Sequence, residues 1–261
     1  MNHSHSIYVL GTDPVSDDSQ REIFGKILQH LCEGYAVIYV GDEDESKISQ
    51  YFLNKGGQHM EDYIRKGLLT IINRDVFYSP FVPTSTLLGQ WTKLFASIKK
   101  KVGKEHFKGF VAIGMIAESF FISDLDTQQL VRYESLAAKK YDGGSEAVCV
   151  YTTQLLQRLP LRHVISLLNA HQNTGHRESK LREWNIKRGL SILNLALDSA
   201  LGPNVAELVL AMLIRDFEMN EDAMILYPDK LERKLEILLG PSAAELVTRQ
   251  IKLELTKDIV Y

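Results

Sequence analysis

Residues 1 to about 171 alternate short apolar runs with segments of helical periodicity. The runs are rich in Val, Ile, Leu and Tyr, and they predict strands at 7–11, 36–42, 68–73, 109–115 and 147–153. Amphipathic patterns between them predict helices around 19–33, 46–66 (broken at Gly56 and Gly57), 85–102, 126–140 and 160–170. Strands that alternate with helices are typical of a largely parallel sheet covered on both faces, so we predict an α/β fold.

The last third of the chain repeats one short phrase, LGPNVAELV at 201–209 and LGPSAAELV at 239–247. Apolar positions around the two copies match at an offset of 38 residues, and their spacing places one stripe along each helix. The matched positions are Leu193, Leu197, Leu201, Val205, Leu208, Val209, Leu213 and Phe217, then Leu231, Leu235, Leu239, Ala243, Leu246, Val247, Ile251 and Leu255. We therefore predict two αα-hairpins that form a small all-α four-helix domain over 181–261.

Each copy of the phrase has the composition of a corner between two helices. Gly202 and Gly240 suit the left-handed conformation that follows a helix end. The proline after each glycine cannot extend the first helix, and Asn204 and Ser242 each stand three residues before a glutamate, which is the spacing of a capping box. We expect these repeated phrases to be structural corners and not a catalytic motif.

Composition and charge fit a folded cytoplasmic protein. The chain has 261 residues, of which 45% are hydrophobic and 24% charged, enough for an α/β domain at 1–172, a linker at 173–180 and a helical domain at 181–261. Two cysteines without metal-type spacing argue against a disulfide scaffold. The first residues lack a signal-peptide pattern, and the most apolar run carries a glutamate and is too short to span a bilayer. We expect a cytoplasmic location and no membrane partner.

The charge distribution disfavours direct nucleic-acid binding. The formal net charge is −3, and neither part of the chain has the basic excess that phosphate binding requires. The only dense basic run, Lys99 to Lys101 with two further lysines nearby, is expected at the solvated end of a helix, where cations interact favourably with the helix dipole.

The sequence lacks the motifs of common enzymes. No GxxxxGK[ST] motif occurs, and the loop after the first strand carries Asp13, Asp17 and Asp18, which would repel a triphosphate. We find no nucleophile elbow, no Rossmann glycine motif and no Ser, His and Asp grouping. The acidic run at 41–46 fits a helix start, and the histidines are dispersed. We therefore expect no enzymatic activity, no cofactor and no metal.

The loops beyond the carboxyl ends of the strands are where a ligand site is expected in an open α/β sheet. The aromatic segment 76–85, which contains Tyr78 and leads into the helix of Trp91, could line a small-molecule pocket or simply pack in the core. Glu118 and Glu134 are the carboxylates expected nearest to strand ends. The thiol of Cys149, in the middle of a strand, is expected to be buried.

Five segments together resemble the MEDS sensory domain, which occurs in methanogens, in methylotrophs and in the regulator of dichloromethane utilisation. They are QWTKLFASI at 90–98, GFVAIGM at 109–115, LVRYESL at 130–136, AVCVYTT at 147–153 and LLNAHQ at 167–172. The resemblance covers roughly residues 3–172. Its most specific parts are Tyr133 with Glu134, Cys149 with Tyr151, and His171.

The resemblance implies a RecA-like or KaiC-like fold that has lost its P-loop, and a role in sensing small hydrocarbon-derived ligands or related signals. The candidate ligand-binding residues are Tyr78, Trp91, Glu118, Tyr133, Glu134, Cys149, Tyr151 and His171. We expect a non-catalytic sensor whose α/β domain binds a small-molecule ligand. Its helical domain, residues 181–261, would transmit the signal to a protein partner or to a second copy in a homodimer. A nucleotide-binding RecA-like protein or enzyme without a standard P-loop, and a protein-interaction adapter, are the alternatives.

Overall fold

The computed structural model of the chain describes residues 4–10, 17–41, 46–47, 50–51, 60–78, 84–102, 108–115, 127–140, 145–172 and 178–257. The chain divides into two compact units. The first unit comprises Met1–Leu155 with Leu167–Thr174, and the second comprises Leu156–Ser166 with Gly175–Tyr261. Of the predicted linker 173–180, residues 173–177 lie outside the described residues, and 178–180 belong to a helix.

The first unit contains an all-parallel sheet of five strands in the order β1-β5-β4-β2-β3. The strands are β1 (Ser4–Leu10), β2 (Ala36–Gly41), β3 (Leu69–Asn73), β4 (Phe110–Gly114) and β5 (Ser145–Thr152). All five predicted strands are present, and the predicted α/β class is confirmed. In the register of the sheet, Cys149 of β5 lies opposite Ile7 on one side and Gly114 on the other.

Helices connect the strands much as the periodicity predicts. Before residue 173 they are α1 (Asp17–Cys32), α2 (Met60–Arg65), α3 (Arg74–Phe77), α4 (Thr84–Val102), α5 (Thr127–Lys140), α6 (Thr153–Arg158) and α7 (Leu161–Gln172). The short helices α3 and α6 were not predicted, because four to six residues are too few to show a helical period. The predicted break at Gly56 and Gly57 lies outside the described residues. The lysines 99–101 are exposed in the last turn of α4, as expected.

The central strands β2 and β4 are buried on both faces, because consecutive side chains of a strand point to opposite sides and nearly all of theirs are covered. One face packs against α1 and α2. Its buried core is formed by Ile23, Phe24, Ile27, Leu31, Val37, Tyr39, Leu69, Val111, Ile113, Met115, Val148 and Val150. Burial of both faces explains why the strands are continuous apolar runs and not alternating ones.

In the described residues of the second unit, helices are the only regular secondary structure. It contains α8 (Glu178–Leu201), α9 (Pro203–Arg215), α10 (Glu221–Leu226), α11 (Pro228–Leu239) and α12 (Pro241–Lys257), together with the part of the chain from Leu156 to Ser166. The region predicted as four helices therefore holds a fifth, the short α10. Asn220 caps it by accepting a 2.8 Å hydrogen bond from the backbone N–H of Ala223. No helix among the described residues is long and apolar enough to cross a membrane.

The two repeated corners are confirmed as corners, but their detail differs from the prediction. Gly202 (φ 81°, ψ 155°) and Gly240 (φ 77°, ψ 163°) have positive φ with extended ψ, a region that only glycine enters readily, and not the left-handed helical region. The proline that follows each glycine is the first residue of the next helix. The predicted capping boxes are wrong, because Asn204 and Ser242 already lie inside these helices.

Most of the repeated apolar positions form the core of the second unit. Leu197, Leu213, Leu235 and Val247 are fully enclosed. Val205, Leu208 and Leu246 are exposed instead, which corrects their assignment to the buried stripe. These three residues lie at the edge of the apolar stripe on their helices. Neighbouring helices cover only the centre of that stripe.

Candidate functional site

Strand β5 presents two titratable side chains, Cys149 and Tyr151, on one face of the sheet. Val148 and Val150 point into the core beneath α1, so the alternation of the strand sends Cys149 and Tyr151 to the opposite face. Both side chains are buried. Their placement follows directly from the sequence AVCVYTT, in which the polar-tipped residues occupy every second position.

Glu134 of α5 receives hydrogen bonds from both of these side chains. The Tyr151 hydroxyl donates to Glu134 Oε1 at 2.7 Å, and the Cys149 thiol donates to Glu134 Oε2 at 3.3 Å. The Glu134 side chain has no solvent exposure. A carboxyl group enclosed in this way is costly unless it is hydrogen-bonded, so these two donors offset part of the cost of its burial.

His171, in the last turn of α7, completes the cluster. Its Nδ1 lies 2.6 Å from the backbone carbonyl oxygen of Leu167. A carbonyl oxygen can only accept, so Nδ1 carries the proton and donates. The other ring nitrogen, Nε2, lies 3.5 Å from Glu134 Oε2. The imidazole also meets the Tyr151 ring edge to face, with centroids 6.0 Å apart.

An aromatic group adjoins this cluster through Tyr133, the neighbour of Glu134 in α5. Trp91 Nε1 donates a 2.7 Å hydrogen bond to the Tyr133 hydroxyl. The Tyr78 hydroxyl lies 3.4 Å from the same oxygen. Phe77 packs edge to face on Trp91, with ring centroids 4.8 Å apart. Phe77 was not among the predicted site residues, although it lies beside Tyr78 in the aromatic segment 76–85.

Burial controls the protonation of the cluster. It raises the pKa of the Cys149 thiol well above its ordinary value, and the neighbouring Glu134 raises this pKa further. Burial likewise raises the pKa of Tyr151 and Tyr133, again with a contribution from Glu134. All three groups therefore keep their protons at neutral pH. A protonated, enclosed thiol is a poor nucleophile, which argues against covalent catalysis by Cys149.

Seven of the eight predicted site residues meet in the first unit. Tyr78, Trp91 and Tyr133 form the aromatic group, which we call the aromatic triad. Glu134, Cys149, Tyr151 and His171 form the second group, which we call the polar cluster. Glu118 lies outside the described residues. Part of the segment 76–85 also lies outside them, and Tyr78 is packed in the core.

The polar cluster also contains a set of possible metal ligands. Glu134, Cys149 and His171 offer a carboxylate oxygen, a sulfur and a ring nitrogen, and these atoms all lie within 4.8 Å of one another. Each comes from a different element, α5, β5 and α7. Their sequence spacing resembles no metal motif, so the grouping is visible only in the folded chain.

The sheet order places the usual ligand crevice elsewhere. Strands β2 and β4 are neighbours, but the chain leaves β2 toward β3 and leaves β4 toward β5, in opposite directions along the sheet. Such a reversal opens a crevice beyond the carboxyl ends of the two strands. The segments that follow them, 42–45 and 116–126, lie outside the described residues. The polar cluster instead occupies the face of the sheet beside β5.

Comparisons of the chain with protein-family models, with curated proteins and with solved structures found no match.

Proposed function

We propose that the protein is a non-catalytic sensor in which the first unit, a RecA-like or KaiC-like domain of the MEDS type, binds a small ligand. The observation that carries this proposal is the convergence of seven candidate residues, chosen from five separate segments of the sequence, on connected positions of one core. Residues that serve packing alone would not need to bring a carboxyl, a thiol, an imidazole and three phenols together.

The chemistry of the cluster favours binding over catalysis. Its thiol and phenols retain their protons because burial raises each pKa. The residues of both groups are buried, so a ligand that reached them would have to be small. A small, partly apolar molecule would find aromatic walls at the aromatic triad and hydrogen-bonding groups at the polar cluster, which is the usual composition of a ligand site.

Helix α7 supplies a route for the signal. It carries His171 near its end, and its first residues, Leu161–Ser166, belong to the second unit. A ligand that binds one arrangement of His171 better than another would shift the population of that arrangement. In this proposal the second unit, as a small helical domain, passes the change to a protein partner or a homodimer mate.

A ligand screen with a single fluorophore tests the proposal. The chain has two tryptophans, so Trp184→Phe leaves Trp91 as the only reporter. We expect small organic compounds to raise Tm and to change the fluorescence emission of Trp91, because Trp91 is hydrogen-bonded to Tyr133 within the candidate site. Nucleotides with Mg²⁺ serve as the comparison set. A response to ATP alone would favour the nucleotide-binding alternative.

The control for the screen is a variant that alters the site without emptying the core. Glu134→Gln keeps the side-chain volume and should weaken the response to a true ligand at least tenfold. Hydrogen exchange of residues 178–257, with and without the ligand, then measures transmission. If no compound in a broad screen changes Tm or emission, the sensory proposal fails.

A protein-interaction adapter is the second candidate, favoured by exposed apolar side chains on the second unit. Leu195, Leu208, Ile237 and Leu246 each have more than half of their surface exposed. Leu208 and Leu246 occupy equivalent positions of the repeat. Leu208→Glu with Leu246→Glu should abolish partner capture or self-association if this surface is the adapter site, and should leave the ligand response of Trp91 unchanged.

A further inference from the structure

The donor atoms of Glu134, Cys149 and His171 lie close enough together to be compared with the ligands of a metal site. Cys149 Sγ lies 3.3 Å from Glu134 Oε2, His171 Nε2 lies 3.5 Å from the same oxygen, and all three atoms are within 4.8 Å of one another. With metal–sulfur bonds of about 2.3 Å and metal–nitrogen or metal–oxygen bonds of about 2.0 Å, tetrahedral ligands stand about 3.3 to 3.6 Å apart. Small side-chain movements would suffice to surround an ion.

The imidazole is held in the tautomer that a metal requires. His171 Nδ1 donates its proton to the Leu167 carbonyl oxygen, so in the neutral ring the lone pair lies on Nε2, the nitrogen that faces Glu134. A metal-bound histidine characteristically donates its other N–H to a carbonyl or carboxylate in this way. The backbone of α7 therefore orients His171 before any ion arrives.

The carboxylate is held in the same manner. The Tyr151 hydroxyl donates to Glu134 Oε1 at 2.7 Å, which leaves Oε2 directed toward Cys149 and His171. Hydrogen bonds to the non-ligating atoms of ligands are the usual outer shell of a metal site. His171 and Glu134 thus each have such a partner.

Charge balance fits a divalent ion in this buried place. A carboxylate and a thiolate together carry two negative charges, and the imidazole is neutral, so a divalent cation would make the filled site neutral. On binding, a metal–sulfur bond replaces the Cys149 S–H bond, and the proton leaves to solvent. A neutral complex avoids the cost of an uncompensated charge in the core.

We propose that Glu134, Cys149 and His171 together bind one divalent transition-metal ion of the Zn²⁺ class. Mixed sulfur, nitrogen and oxygen ligands suit Zn²⁺ and similar borderline ions and not Mg²⁺ or Ca²⁺, which prefer oxygen alone. Three protein ligands leave a fourth coordination position for water or a small donor molecule. This inference stands on the geometry of the polar cluster and does not depend on the sensory role.

Cobalt is a spectroscopic probe for the site in the full chain. After removal of metals with a chelator, Co²⁺ should bind with a stoichiometry of one and produce a thiolate-to-cobalt charge-transfer band, which excess Zn²⁺ competes away. Zn²⁺ should also raise Tm in a concentration-dependent manner. No band in the unsubstituted chain, with Tm unchanged by Zn²⁺, would show that Glu134 and His171 form only a buried polar pair.

The two cysteines provide the matched controls. Cys32 is exposed at the end of α1, so Cys32→Ser should keep the band, and in that variant Cys149 is the only thiol left to produce it. Cys149→Ser should lose the band even though surface histidines remain. A band lost in Cys32→Ser and kept in Cys149→Ser would overturn the assignment. The Cys32→Ser result decides the matter even if Cys149→Ser fails to fold.

Tyr151 separates a positioning role from a packing role. Tyr151→Phe keeps all three ligands, so the cobalt band should remain, but the affinity should fall about 10- to 100-fold because the carboxylate loses its hydrogen-bond donor. An unchanged affinity would contradict the positioning role of Tyr151, in which its hydroxyl group directs Glu134 Oε2 toward the ion.

Discussion

The two units differ in how they fill their cores. The second unit is packed almost entirely with aliphatic and methionine side chains, and its buried polar residues among those described are His163 and Lys252. The first unit encloses Glu134, Cys149, Tyr151 and His171 together with the aromatic triad. A polar network of this kind must be fully hydrogen-bonded to be tolerated, whereas an aliphatic core needs only matching shapes.

This difference bears on the proposed ligand site. An aliphatic core is explained by the stability that it provides, which is about 25 cal/mol for each Å² of apolar surface removed from water. The polar cluster costs desolvation energy for each of its groups, and an apolar core of similar volume would serve stability at least as well. Stability alone therefore does not explain the polar cluster, which supports the proposed ligand site in the first unit.

The largest effect is expected in the aliphatic core of the second unit. Leu213 in α9 has no exposed surface, so Leu213→Ala should lower the free energy of unfolding by about 2 to 5 kcal/mol, through lost burial and the cavity that remains. Urea denaturation followed by far-UV circular dichroism measures it. Leu208 in the same helix is 59% exposed, and Leu208→Ala should change the value by no more than about 0.5 kcal/mol. Equal losses would contradict the assigned buried face.

A smaller loss is expected from the polar cluster of the first unit. Tyr151→Phe removes the donor to Glu134 Oε1 without changing the ring, and should cost about 1 to 3 kcal/mol because a buried acceptor loses its partner. Denaturation in the presence of a chelator isolates this effect from metal binding. Tyr35→Phe, at a partly exposed position, is the control and should be nearly neutral. If Tyr151→Phe leaves the free energy of unfolding unchanged, the hydrogen bond to Glu134 does not stabilise this core.

Two asparagines in the second unit allow a helix cap to be compared with a position inside a helix. Asn220 accepts a hydrogen bond from the first turn of α10, so Asn220→Ala should cost about 1 kcal/mol. Asn204 lies within α9 after its Gly-Pro start, so Asn204→Ala should cost less than about 0.5 kcal/mol. Thermal or urea unfolding distinguishes the two values. If Asn204→Ala costs more than Asn220→Ala, then Asn204 is the helix cap that the sequence predicted.

The smallest expected effect is a dependence of the free energy of unfolding on pH, which arises from Lys252 in the second unit. Burial lowers the pKa of Lys252 below its ordinary 10.5, although Glu232 and Glu245 oppose the shift. In the window between the folded pKa and 10.5, the unfolded chain binds the proton more than the folded chain does, so stability should rise with pH. Unfolding measured across this alkaline window should lose that slope in Lys252→Met. The control, Lys187→Met at an exposed position, should keep it.

Much of the fold could be predicted from the sequence because its signals are local. Each strand is a continuous apolar run, and each longer helix repeats its apolar residues at three and four positions, so the elements and the α/β class follow from the chain alone. The corners were less predictable. A capping box at Asn204 depends on where the helix begins, and the positive φ of Gly202 allows Pro203 to begin it earlier.

The candidate site was predicted only in part. The sequence and its resemblance to a known family named Glu134, Cys149, Tyr151 and His171 as candidates, but the absence of any metal-type spacing led to the expectation of no metal. Metal motifs are recognised when ligands are neighbours in sequence, and these come from α5, β5 and α7. Their grouping results from long-range packing, which no local pattern encodes.

By itself, then, the sequence determined the elements, the sheet class and the aliphatic stripes, since these depend on short-range periodicity and on which residues avoid water. The tertiary structure decided the strand order, which of the repeated leucines are covered, and the meeting of a carboxylate, a thiol and an imidazole within 4.8 Å. Those outcomes depend on which distant segments pack together. Packing is settled by the shape and burial of the whole chain and not by any one segment.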